Sequence, residues 1–228
     1  MAGLTDQASG AKVTGGEAIE RAHQAWQESM LRQLDVLRAE IHLTQPGRLA
    51  TNCGATLADQ QIRLTYWGAA MGISWPELKA RQLSDGSDCS VYDEGMLLYY
   101  LRQADGIPIA DHWIGYRELP GGSFYNQAFQ GYSGDRLAGA YGDRLETYAN
   151  AAHLLEGVSL TALPGVAFAF LPLPRIRLAT ILYPGDEEFA ARASVLFDAA
   201  ASHYMTTDGL ALLGAGLVGR LIHAGNLH

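Results

Sequence analysis

The stretch from Val158 to Tyr183 constrains this chain more than any other. It is nearly all apolar and long enough to raise the question of a membrane span, yet Pro164, Pro172 and Pro174 interrupt it and Arg175 and Arg177 lie inside it. A spanning helix accommodates neither so many prolines nor two guanidinium groups near its centre. Two strands fit instead, over residues 166–171 and 176–183. The second is apolar apart from Arg177 and Thr180, the pattern of a central strand buried on both faces.

The rest of the chain supplies helices and a hairpin around those strands. Ile19, Trp26, Met30, Leu34, Leu37 and Ile41 recur mostly at three- and four-residue steps with charges between them, which predicts a long amphipathic helix over residues 17–43, stopped by Pro46-Gly47. His23 and His42 stand about five turns apart on it and cannot share a metal. Residues 61–67 alternate apolar and polar as a half-buried strand, and residues 72–76 return beside it, with Pro76 suited to an edge. Ser90 caps a helix over residues 91–104, where Asp93 and Glu94 sit near the positive end and Gly106 closes it. A strand over 113–119 and helices over 123–131, 134–156, 199–203 and 210–224 complete the pattern, with Gly157 as the cap of the long middle helix. This predicts a single α+β domain over residues 17–228: a mixed, mainly antiparallel sheet with helices packed largely on one face and a long N-terminal amphipathic helix. Residues 1–16, polar and rich in Gly, Ser and Thr, read as a flexible lead-in.

Charge and cysteine content exclude several functions. A net charge of −8, a pI near 5.3 and only two lysines, Lys12 and Lys79, leave no basic surface for nucleic acid or anionic membrane. Cys53 and Cys89 match no zinc or iron–sulfur spacing and read as reduced, buried thiols of a cytoplasmic protein. Glycine, at 26 of 228 residues, is about 11% against a usual share of about 7%, so tight turns and close backbone approaches are expected.

Chemistry-bearing residues gather at three places. In the segment Tyr116-Arg117-Glu118-Leu119-Pro120-Gly121-Gly122-Ser123-Phe124-Tyr125, Pro120-Gly121 has the composition of a type II turn, while Gly121 and Gly122 would equally let a ligand approach bare amides. His112, Trp113 and Tyr116 precede it; on a regular strand His112 and Tyr116 share one face, and a histidine among aromatics can serve as an axial ligand or a general acid/base. Arg175 and Arg177 share a strand face, to clamp an anion or to pair with Asp186, Glu187 or Asp198. Asp186, Glu188, Asp198 and His203 are the one acidic and imidazole group suited to a hard divalent metal, although carboxylates after Pro184-Gly185 equally suit a helix start or a solvated loop. Gly214-Ala215-Gly216-Leu217-Val218-Gly219 spells Gly-x-Gly-x-x-Gly, but it falls within a predicted helix and not in a strand-to-helix turn, so it reads as helix packing.

The segments Glu94-Gly95-Met96-Leu97-Leu98-Tyr99-Tyr100-Leu101, Tyr116 to Tyr125, Leu173-Pro174-Arg175-Ile176, Gly185-Asp186-Glu187-Glu188-Phe189 and Val195-Leu196-Phe197-Asp198, in this order and spacing, resemble the bacterial and archaeal domain family DUF3786 over about residues 48–216. The resemblance implies a domain and no settled activity. Some relatives are joined to cysteine-rich iron–sulfur segments and occur in anaerobes that use corrinoid chemistry; this chain has no such cysteine cluster. The expectation is a small-molecule or cofactor-binding protein, its pocket lined by His112, Trp113, Tyr116, Arg117, Glu118, Gly121, Gly122, Tyr125 and Arg175, with a tetrapyrrole (haem or corrinoid) as ligand. Two alternatives stand beside it. One is a metal-assisted enzyme using Asp186, Glu188, Asp198 and His203. The other is an assembly subunit, a homo-oligomer or one with a partner protein, that makes contacts through its first and last helices.

Overall fold

The computed structural model describes residues 31–226. The predicted first helix is described from residue 31 onward and ends at residue 41 (α1); the lead-in, His23 and the earlier part of that helix lie outside the described residues. Next come α2 (Pro46–Cys53) and an antiparallel meander of β1 (Thr56–Ala58), β2 (Gln61–Tyr66), β3 (Ala69–Ser74) and β4 (Ala80–Gln82). Helix α3 (Val91–Gln103) leads to β5 (Trp113–Gly115), a short 3-10 turn (Tyr116–Glu118), α4 (Gly122–Tyr132), α5 (Gly134–Tyr141) and α6 (Leu145–Leu154). Strands β6 (Val158–Ser159), β7 (Val166–Leu173), β8 (Ile176–Tyr183) and β9 (Arg192–Asp198), a 3-10 turn (Ala201–His203) and α7 (Thr207–Gly225) follow.

The α+β class expected from the sequence is the one the chain adopts. Its strands divide between two sheets, β1-β2-β3-β4 and β5-β9-β8-β7-β6, and every pairing in both is antiparallel. β8 lies in the middle of the larger sheet, as its apolar run requires, between β7 and β9. Thr180, the polar exception in its interior, is fully buried, and its hydroxyl and carbonyl meet the Tyr148 hydroxyl of α6 at 2.6 and 3.3 Å. A buried hydroxyl without such a partner would lose its hydration uncompensated. Pro172, which has no N–H to give a ladder, sits where the β7–β8 register shifts between Phe170 and Leu173. Its carbonyl accepts the Trp67 N–H at 2.9 Å, so the irregularity in the larger sheet is also its tie to the β2–β3 hairpin.

Three elements depart from the sequence reading. The strand expected over 113–119 stops at Gly115, because the chain turns and stacks Tyr116 on Phe129 at 4.2 Å inside the core. The single helix expected over 134–156 is two, α5 and α6, divided at Gly142, which packs so closely on Ala191 that a Cβ there would lie 2.5 Å from it. Gly106 does not cap α3; Ala104 ends it and Gly106 takes the left-handed backbone two residues later. The last helix begins at Thr207, and the Thr206 hydroxyl accepts the Gly209 N–H, while Leu210, Leu213, Leu217, Val218 and Leu221 are buried. Most of its apolar residues are therefore spent inside the fold, while Leu212 is 46% exposed. Among the described residues no helix is long and apolar enough to cross a membrane.

Helix α1 docks on α3 through Leu34, Leu37 and Ile41 and through polar pairs that cross between the two helices. The most consequential is Arg38 with Glu94, at 2.5 Å, in which both side chains are nearly buried. Glu94, expected to be a simple helix-start charge, is 7% exposed; Lys79 stands 3.7 Å from the same oxygen. A carboxylate this deep is tolerated only while its cation stays. Arg38→Met should lower unfolding free energy by about 1–3 kcal/mol in denaturant melts, and adding Glu94→Gln should recover part of that loss. Equal, additive losses in the double variant would show that the pair is not coupled.

Candidate functional site

A concavity of about 1030 Å³ opens where the two sheets meet α6 and α7. Its floor and walls come from Thr65, Trp67 and Gly68 of the β2–β3 hairpin, Leu154, Leu155 and Glu156 at the end of α6, Phe170 and Leu171 of β7, and Gly216, Gly219, Arg220, His223 and Ala224 of α7. Apolar walls with a few converging polar groups, at a volume near the top of the usual ligand range of roughly 300–1,000 Å³, are the common form of a small-molecule site.

Local structure aims each polar group. Trp67 and Gly68 form a two-residue hairpin turn with φ of 50° and 79°. Such turns favour Asn or Gly at the first position, and a bulky residue there costs about 1–3 kcal/mol. The Trp67 N–H to Pro172 bond and the Arg220 guanidinium 4.3 Å from the indole centroid offset that cost; a cation over an indole contributes about 0.5–2 kcal/mol. Glu156 also holds a left-handed backbone (φ 57°) just past α6, where Gly or Asn is usual, and its carboxylate lies beside Gly68.

On α7, Gly216, Gly219, Arg220 and His223 fall at three- and four-residue steps and share one face. Gly214 behaves as the sequence suggested and packs on Phe129 and Phe197. Gly216 and Gly219 do not: a Cβ at Gly219 would meet nothing within 4 Å, and at Gly216 only Arg220 and Trp67. Their backbone faces the cleft. Arg220 is also near enough to Tyr92 to oppose the upward push that burial and Asp93 give that phenol.

The residues singled out from the sequence are dispersed. His112 and Arg117 are exposed, and Glu118 turns back to accept the Gly115 N–H at 2.7 Å. Trp113 lies under the Arg177 guanidinium at 5.2 Å, and Arg177 pairs with Asp111, not with Asp186, Glu187 or Asp198. Tyr116 belongs to the core, so it and His112 do not share a surface. Gly121 (φ 72°) starts α4, and Gly122 is required because a Cβ would sit 2.0 Å from the Tyr116 carbonyl oxygen. Gly121 and Tyr125 rim a second hollow of about 390 Å³ with Gln103, Ser202 and residues 205–208. Arg175 does not line it. The Arg175 side chain packs on Gly54, and the Arg175 backbone N–H donates to the Tyr100 hydroxyl, which in turn donates to the Cys53 carbonyl.

The four residues expected to hold a metal do not come together either. β9 is seven residues long, and at about 3.3 Å per residue it sets the acidic turn roughly 20 Å from Asp198. Asp186 accepts the N–H groups of Phe189 and Glu188, which hold its carboxyl below the usual range, and Glu188 is exposed. Asp198 is wholly buried and accepts the Ala110 and Ala200 N–H groups at 2.9 Å. His203 pairs with Asp105 at 2.7 Å. Among the described residues no group of three or more His, Cys, Asp and Glu is placed to hold a metal ion.

Residues 45–220 match the family described as a domain of unknown function, DUF3786. The chain belongs to this family. No curated protein and no solved structure matches it. The DUF3786 match takes in Trp67, Glu156, Gly216, Gly219 and Arg220, whereas α1 precedes it and His223 follows it. The cleft had a trace in the sequence: Gly216, Gly219, Arg220 and His223 make a small and polar stripe on an otherwise apolar helix. What hid it was the partner wall, since nothing local links α7 to a turn near residue 67.

Asp198→Ala should cost about 1–3 kcal/mol in denaturant melts, as the removal of an acceptor from paired amides does, and EDTA should leave the wild-type midpoint where it is; a drop with EDTA would restore a metal role. Burial pushes the Cys53 thiol up to about 11 from 9.0 and holds the Tyr66, Tyr100 and Tyr148 phenols well above 10.0. The unfolded chain ionises these groups first, so their contribution is complete below about pH 9 and is lost as pH rises through 11. The Tm should fall across that window, and less steeply in Cys53→Ala; a flat profile contradicts the burial.

Proposed function

We propose that this is a cytoplasmic small-molecule-binding domain whose ligand occupies the cleft between the Trp67–Gly68 turn, the end of α6, β7 and α7. The observation that carries this reading is the pair of left-handed residues, Trp67 and Glu156. At both positions Asn or Gly would fit without strain, and both carry large side chains that line the same cleft. Backbone strain of this kind collects where a side chain must be aimed. The bare stripe of α7 supports the reading from the opposite wall, since glycine inside a helix sacrifices about 1 kcal/mol relative to alanine and Gly219 gains no close packing for it. The unpaired thiols of Cys53 and Cys89 suit a reducing compartment. A tetrapyrrole, haem or corrinoid, is one ligand of the right general character, with His223 supplying an imidazole at the cleft.

Native mass spectrometry and a visible spectrum of protein purified from its own host test this directly. A retained molecule is expected in the wild type and should be lost in Gly219→Leu, because Gly219 lines the cleft and a Cβ there would meet nothing within 4 Å. That variant should keep or slightly raise its Tm, because it replaces a helical glycine. Equal retention by Gly219→Leu would place the ligand elsewhere, and a Soret or corrinoid band would identify the tetrapyrrole.

A further inference from the structure

We infer that the cleft selects an organic acid, with its anionic group on Arg220 and its apolar body laid along Leu154, Phe170 and Leu171; this rests on the cleft being the binding site. Arg220 is half-buried, and among the described residues its guanidinium makes one weak hydrogen bond, from Nη1 to the Gly216 carbonyl at 3.3 Å. Among the described residues it has no carboxylate within ion-pair distance, whereas Arg102 and Arg177 each have one and Arg38 has two. A guanidinium carries five N–H donors in a planar fork that matches a carboxylate, sulfonate or phosphate. The Arg220 guanidinium carbon lies over the Trp67 ring, 4.3 Å from its centroid, which leaves its other N–H donors to a ligand.

The remaining groups restrict the ligand further. The chain as a whole is acidic, at −8, so its long-range field does not gather anions and the selectivity has to be local. Glu156, across the Trp67–Gly68 turn, repels a second negative group at that end and suits a hydroxyl or amine. Leu154 and Leu171, each 54% exposed, are the apolar surface a ligand body would cover. The site therefore favours one anionic group and an apolar body over a polyanion or an inorganic ion.

Two dyes with the same aromatic body separate these terms: 8-anilinonaphthalene-1-sulfonate and the neutral N-phenyl-1-naphthylamine, titrated by fluorescence against wild type, Arg220→Met, Arg220→Lys and Gly219→Leu. Near-UV circular dichroism confirms that each variant is folded. The sulfonate should bind saturably to the wild type, about tenfold more weakly to Arg220→Met and less weakly to Arg220→Lys. The neutral dye should bind wild type and Arg220→Met within about twofold. A sulfonate affinity unchanged in Arg220→Met, or an equal loss for both dyes, overturns the anion assignment. Displacement of the sulfonate by equimolar inorganic phosphate overturns the requirement for an apolar body. Binding of both dyes unaffected by Gly219→Leu sinks the cleft itself, an outcome distinct from either.

Discussion

The hydrogen bond from the Trp67 N–H to the Pro172 carbonyl is the point on which the upper-level structure depends. Each side of it is a local irregularity. On one side the β2–β3 turn holds a tryptophan in the left-handed region; on the other a proline breaks the β7 ladder and frees its carbonyl. Neither would be stable alone, because the turn is strained and the proline interrupts pairing. Joined, they tie the β2–β3 turn to β7 and set the indole beneath Arg220 of α7. The cleft opens beside this tie, between the Trp67–Gly68 turn, β7, the end of α6 and α7.

Around that tie, the packing explains why glycine is so common. Gly122 and Gly142 are places where backbone or side chain approaches too closely for a Cβ. Gly219 is the opposite case, a helical glycine with open space where a side chain would go. The same residue type therefore marks crowding in the core and vacancy at the cleft, and composition alone does not distinguish the two. The conspicuous Pro-Gly-Gly of residues 120–122 falls on the crowded side: it turns the chain from Tyr116, stacked on Phe129, into α4.

Helix α1 adds a dependence of a different kind. It precedes the span that defines the family, yet its Arg38 neutralises Glu94, which lies within that span on α3. The pair is nearly dry, so its value lies less in net stabilisation than in the penalty for separating it. Docking of α1 is therefore coupled to α3, and α3 carries Tyr100, whose hydroxyl bridges the Cys53 carbonyl and the Arg175 amide. In this way the amphipathic helix reaches the hairpin between β7 and β8 through two intermediates.

By itself the sequence determined the α+β class, the central place of β8 and the start of α3, because these follow from hydrophobic period and from the Ser90 cap, which act within a few residues. It also located the β2–β3 hairpin, through the alternation of Ile62, Leu64 and Tyr66. Tertiary structure alone decided which chemistry-bearing residues meet. Tyr116 left its predicted strand because stacking on Phe129 and Phe197 outweighed a few more ladder bonds. Asp198 and His203 found Ala110 and Asp105 in place of Asp186 and Glu188, since the length of β9 keeps the two ends of the sheet apart. Trp67, Glu156 and Arg220 are far apart in sequence and share no local signal. They reach one cleft through the packing of α6 on α7 and through the bond between a turn and a bulge, both irregular and so nearly silent in periodicity.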